Sequence, residues 1–299
     1  MAIVVVGTAS GVDVVDGDGA GRLSGQPCTA LAVEGLHLWA VVDDTTIMRG
    51  STNGDWAPVA TIEGRRARCL LPQGGRLYVG TDEAHLLRIG DGSVEHVSSF
   101  DDAEGREKWY TPWGGPPDTR SLSASHGTIY ANVHVGGIVR STDGGGSWEP
   151  TIDIDADVHQ VLAHPDNPGL LLASTAWGLA RSDNGGGDWS FHDEGLHASY
   201  SRAVAVAGDT LLVSASTGPR GGRAALYRRP LAEDGPFERC TGGLPEWFPG
   251  NIDTHCLAAV GGTVAFGTEE GDVFRSEDEG RTWEKVASGL PAIRAIVLR

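Results

Sequence analysis

Ser141-Thr142-Asp143-Gly144-Gly145-Gly146-Ser147-Trp148 returns, with small changes, as Ser276-Glu277-Asp278-Glu279-Gly280-Arg281-Thr282-Trp283. Between them, Ser182-Asp183-Asn184-Gly185-Gly186-Gly187-Asp188-Trp189 keeps the pattern with Asn184 in the Asp place. A shortened form stands earlier, Ser51-Thr52-Asn53-Gly54-Asp55-Trp56. Each full copy follows a short apolar strand, a turn and a second strand ending in Arg-Ser. Ser and Asp side chains satisfy the backbone N–H groups of a tight turn, and glycine supplies positive φ there. The Trp then opens the next strand and wedges a large apolar body between strands. Such a motif specifies a turn and says little about chemistry.

The spacing is a propeller period of roughly 40–45 residues. Ser182 and Ser276 stand two periods apart, so a repeat without the motif lies between, and residues 201–245 supply it. Six complete units are expected at about 28–62, 66–100, 118–155, 157–196, 201–245 and 251–291. Arg294-Ala295-Ile296-Val297-Leu298 matches the first strand of a unit, and Ile3–Thr8 with Val12–Val15 matches the second and third. A seventh blade is therefore assembled from residues 292–299 plus 2–24, which closes the ring and leaves no free sheet edge at the join. The expectation is all-β: one seven-bladed β-propeller over residues 1–299, with residues 101–117 inserted as a loop.

The repeated turn on this strand pattern resembles the Asp-box (BNR) repeat of sialidase-like β-propellers, and the resemblance covers nearly the whole chain. That superfamily includes sialidases, xyloglucan-cleaving endoglucanases, sortilin-type receptors and a photosystem assembly factor. The resemblance implies the fold and leaves the activity open. The chain has no Arg-Ile-Pro sequence and has seven units where sialidases usually have six, which speaks against sialidase activity. Xyloglucan-cleaving relatives generally need two propellers to form a cleft.

Composition narrows the classes. The chain has 299 residues, 44 of them Gly, and a formal net charge of −17. Many short strands fit this better than helices, and neither nucleic acid nor an anionic membrane surface suits such a charge. No stretch is long and apolar enough to span a membrane. Lys108 and Lys285 are the only lysines, a bias expected of a GC-rich, bacterial genome. The four cysteines (Cys28, Cys69, Cys240 and Cys256) show no CxxC or Cys/His ligand spacing, so they read as small core residues of a reduced, cytoplasmic protein.

Three kinds of position line the top-face mouth of a propeller channel. Aligning the units puts Thr29, Arg68, Arg120, His159, Arg202, His255 and Arg294 at the head of the inner strands. Arginine forks bind carboxylate, sulfate or phosphate, so this ring points to a small anionic ligand. The competing reading is that each Arg pairs with an acidic residue of the next blade and ties the ring together. The loops between second and third strands add Asp82, His134, Trp177, Glu269 and Glu270. The insertion adds Trp109, Tyr110 and Trp113 as an ordered lid, and Trp247 lies on another aromatic loop. Those aromatics either wall a pocket or seal loops over the blades.

An enzyme would use Arg68, Arg120, Arg202, Arg294 and the aromatics for binding, and His159, His255, Glu269, Glu270 or Asp82 for proton transfer. It would be a glycoside hydrolase or a lyase acting on an anion. No cofactor is expected, but His134, His159 and His255 form an alternative, a divalent metal site. His37, His126, His164, His96 and His192 fall on bottom-face turns or outer strands and are set aside. The other class is a non-catalytic propeller whose arginines meet protein carboxylates.

Overall fold

The protein is described here from a computed structural model covering residues 2–15 and 22–299. Alternating apolar residues bury one face of each short strand, and glycine-rich turns reverse the chain between them. The result is seven antiparallel sheets arranged as the blades of a β-propeller. Cys28–Glu34, Ala67–Gln73, Thr119–Ser125, Val158–Ala163, Val204–Ala207 and Leu257–Val260 are the innermost strands of six four-stranded blades. The seventh innermost strand is Ile293–Leu298, and it pairs with Val4–Thr8, which pairs in turn with Gly11–Val15. This closing sheet has three strands among the described residues. The expected blade segment 2–24 includes residues 16–21, which lie outside the described residues. No helix among the described residues is long and apolar enough to cross a membrane.

The recurrent turns behave as their side chains dictate. Asp143 Oδ1 accepts the N–H groups of Gly146 and Ser147 at 2.8 and 3.0 Å, and its Oδ2 accepts the Ser147 hydroxyl. Ser141 Oγ accepts the Gly145 N–H at 2.8 Å. Asp278 makes the same bonds to Thr282 and Ser276, and Asn184 substitutes by donating its amide to Asp188.

The Trp of each turn packs against the blade that precedes its own. Trp148 is buried beside Cys69 and Tyr78, Trp283 beside Leu212 and Leu226, and Trp189 against Tyr130 and Ile138. Trp56 packs likewise with Val5 and Val12 of the closing blade. Polar contacts follow the same seam: Tyr78 Oη donates to Gly144 O, and Arg140 donates to Gly185 O at 2.7 Å. Each turn is thus a clasp between neighbouring blades. All four cysteines are buried free thiols, and burial pushes Cys28, Cys69 and Cys240 up to about 12.

The insertion is two pieces. Its start, with the short helix Ser98–Asp101 just before it, is a plug: Phe100 is fully buried and packs on Trp109 and Trp148. Its end, a turn held by Thr111 Oγ1 donating to Gly114 O, carries Pro112 and Trp113 to the propeller axis.

Removal of residues 292–299 takes away an inner strand with buried Ile296 and Leu298. The truncated chain should lose its cooperative thermal transition, and a melt like that of the full chain would contradict the ring closure.

Asp278→Ala should cost about 1 kcal/mol, roughly 2–4 °C in Tm. Burial opposes ionisation of Asp278, but its bonds to Thr282 and Ser276 prevail and hold its carboxyl below the usual carboxylate range. A depressed folded pKa gives stability that is present above the unfolded pKa and lost as pH falls through the depressed value. The Tm gap between the native chain and Asp278→Ala should therefore shrink on acidification. A gap that widened instead would refute this role.

Candidate functional site

The head of most inner strands is a β-bulge. Pairing skips from Cys28 to Ala30, from Ala67 to Cys69, from Thr119 to Ser121, from Val158 to Gln160 and from Ile293 to Ala295. The skipped residues are Thr29, Arg68, Arg120, His159 and Arg294. A bulged residue leaves the ladder and its side chain is re-aimed. Here the bulges occupy the axial end of the inner strands, which is why side chains of one register converge there. Arg202 and His255 sit just before their strands instead, and His255 holds a left-handed φ of 65°.

A cavity of about 620 Å³ opens at this end of the axis. Thr29, Arg68, Arg120, Arg202, His255 and Arg294 line it, together with Pro112, Trp113 and His134. His255 forms part of the wall: its Nε2 donates across the axis to the Arg120 carbonyl at 3.0 Å, and burial pushes its pKa down. Thr254 Oγ1 donates to the carbonyls of His159 and Arg202, which locks three blades together.

Three carboxylates line the cavity, two of them against arginines. Arg202 Nη1 donates to both oxygens of Asp253, at 2.8 and 3.0 Å, and Arg68 Nε lies 3.3 Å from Asp118 Oδ2. Each pair joins one blade to the next, so the architectural reading holds for these two arginines. Burial opposes ionisation of Asp253, yet Arg202 prevails and holds it below the usual range. At Asp118 burial outweighs Arg68 and pushes the carboxyl up. The Arg120 guanidinium has no hydrogen-bond or ion-pair partner among the described residues; burial, then repulsion from Arg202, pushes its pKa down. Arg294 and Arg220, also on the wall, are likewise unpaired among the described residues.

The third carboxylate, Asp157, lies between two imidazoles. Its Oδ1 is 3.3 Å from His134 Nε2, and its Oδ2 is 3.6 Å from His159 Nε2. His159 is fully buried beneath the cavity wall, its ring tilted against Tyr200 at 4.7 Å, and its Nδ1 donates to Ser201 O at 2.6 Å. The expected metal trio of His134, His159 and His255 does not form, because His255 Nε2 is engaged by Arg120 O. Asp157 takes its place beside His134 and His159.

Several expected site residues lie elsewhere. Asp82 caps a loop by accepting the Arg66 N–H at 2.9 Å. Glu269 lines an adjoining cavity of about 420 Å³ that shares Arg202, Arg220 and Arg294, whereas Glu270 lines neither cavity. Trp109 is held away by packing on Phe100 and Arg106. Tyr110 is exposed, Trp177 packs at a tilt on Phe191, and Arg223 and Arg239 both lie over the Trp247 ring. Trp113 alone of these aromatics reaches the cavity, 5.0 Å from the His134 ring. His96, set aside on sequence, joins His85 around Asp101.

The sequence reading missed Asp118, Asp157 and Asp253. A signal for them exists: Asp118-Thr119-Arg120, Asp157-Val158-His159 and Asp253-Thr254-His255 repeat one Asp-x-cation pattern at the inner-strand heads.

No protein-family profile and no curated protein matches the chain. Among solved structures it is similar to an ancestral GH74 enzyme, at TM-score 0.66 and 16% identity, covering 95% of this chain and 40% of that one. It is also similar to YCF48 bound to D1 peptide, at TM-score 0.60 and 19% identity over 86% of this chain and 81% of that one. The RRP9 WD40 repeats align at TM-score 0.65 and 14% identity over 98% and 88%. The chain thus spans less than half of the GH74 chain. These likenesses show a shared β-propeller fold.

Asp253→Asn should lower stability by about 1 kcal/mol, a modest figure because Asp253 faces solvent within the cavity mouth. Urea unfolding measures it. A change no larger than that of Glu95→Gln, at an outer-strand ion pair, would show that the Arg202 pair does not tie the blades.

Proposed function

We propose that the chain is an Asp-box propeller whose axial cavity binds a small anion: a carboxylate, sulfate or phosphate, with a sugar acid as the class that best suits a wall containing Trp113 and Tyr200. The observation that carries this reading is Arg120. An unpaired guanidinium deep in a cavity, with Arg202 beside it and Arg294 on the same wall, is electrostatically incomplete in an otherwise acidic protein. An anion would satisfy Arg120 with forked hydrogen bonds while Asp253 and Asp118 continue to neutralise Arg202 and Arg68.

Two-carboxylate glycoside hydrolysis fits less well. Of the carboxylates lining the axial cavity, Asp118 and Asp253 are engaged by arginines, and Asp157 faces imidazoles. The similarity to YCF48 bound to D1 peptide favours a second reading, capture of a protein carboxylate. A concave cavity partly covered by the Pro112–Trp113 turn suits a small molecule better than a flat peptide surface.

Calorimetric titration with phosphate, sulfate and glucuronate tests the proposal. Binding should weaken with ionic strength, and Arg120→Met should reduce affinity by about 10–100-fold. Arg76→Met, at a surface ion pair with Glu95, should not. Equal affinity in Arg120→Met, or no binding of any of the three anions, would overturn the reading.

A further inference from the structure

We propose that His134 Nε2, His159 Nε2 and the Asp157 carboxylate hold a divalent transition-metal ion, zinc by their donor set, at the edge of the axial cavity. This goes beyond the anion-binding reading and uses none of its arginines.

The protonation of His159 is fixed by its neighbour. A backbone carbonyl only accepts, so the 2.6 Å contact to Ser201 O places a proton on Nδ1. In the neutral ring Nε2 is then a bare lone pair. That nitrogen is buried, has no hydrogen-bond partner, and faces Asp157 Oδ2 at 3.6 Å. Asp157 Oδ1 is equally buried and without a hydrogen bond, although His134 Nε2 lies only 3.3 Å away. Acceptors that converge in a buried site repel one another unless a positive charge lies between them. A metal ion supplies it.

The spacing and the supports agree with this. Ligand atoms about 2.0–2.1 Å from a tetrahedral zinc stand roughly 3.3–3.4 Å apart. His134 Nε2 stands 3.3 Å from one Asp157 oxygen and His159 Nε2 3.6 Å from the other, and one ligand atom from each of the three residues lies within 4.8 Å of the others, close enough for a single ion to draw them in. An imidazole that ligates through Nε2 usually donates its Nδ1–H to a carbonyl, which orients the ring as Ser201 does here. The ligands come from stiff parts of two adjacent blades. His134 follows the strand Thr128–Val133, Asp157 has a left-handed φ of 47°, and His159 is the bulged residue of Val158–Ala163. Two imidazoles and one carboxylate leave a coordination position open. His134 and Asp157 both line the cavity, so that position faces it.

His85, His96 and Asp101 form the other trio of this kind among the described residues, and they make a different arrangement. There the carboxylate is already bound by His85 at 2.7 Å and by His96 at 3.0 Å, and Arg106 lies 3.5 Å away. That trio reads as a hydrogen-bonded ion cluster at the surface.

The test is titration of the chelator-treated full chain with zinc alone, followed by cobalt(II) as a spectroscopic probe. One zinc per chain should bind, and cobalt should give the strong visible absorption of a four-coordinate site. His134→Gln and Asp157→Asn should each weaken zinc binding by at least about 100-fold with unchanged circular dichroism. His96→Gln should bind as the native chain does. His159→Gln removes a fully buried ring and is informative only if it folds, so the first two variants decide. Absence of a stoichiometric zinc, native affinity in both His134→Gln and Asp157→Asn, or loss of binding in His96→Gln would overturn the assignment.

Discussion

Antiparallel pairing of Ile293–Leu298 with Val4–Thr8 is the constraint on which everything else rests. It joins the two ends of the chain in one sheet, so that six other sheets must share a ring with it. A closed ring has no exposed inner edge, and its blades are held at an angle that buries both faces of each sheet. The Ser–Asp turns then act as clasps. Each folds its own blade through hydrogen bonds to Asp or Asn and sends a Trp onto the preceding blade.

Ring closure also creates an electrostatic problem at the axis. Residues at the heads of the inner strands converge, and among them are four arginines and two histidines. Like charges so placed would repel in a partly desolvated cavity. The structure answers with aspartates two residues ahead of three of these positions. Asp118 serves Arg68, Asp253 serves Arg202, and Asp157 serves His134. Compensation runs between blades, so the same charges that shape the cavity also hold the ring. Arg120 is left over, and so is the bare face of His159. Those two remainders are where a ligand or an ion has something to satisfy.

Local physics settled much of this protein from its sequence alone. A Ser-x-Asp-x-Gly-x-x-Trp turn needs only its own neighbours to form, and alternating apolar residues need only one buried face. The blade count, the closing sheet and the register of Thr29, Arg68, Arg120, His159, Arg202, His255 and Arg294 follow from such short-range rules repeated along the chain. The tertiary structure alone decided which side chains share the cavity. A one-residue bulge aims Arg120 and Arg294 at the axis, while packing on Phe100 draws Trp109 away and Phe191 holds Trp177. Asp157 meets His134 because two blades abut, and His255 meets Arg120 because a ring brings opposite blades together. Contacts between residues distant along the chain are fixed by packing, and no periodicity or spacing along one strand encodes them.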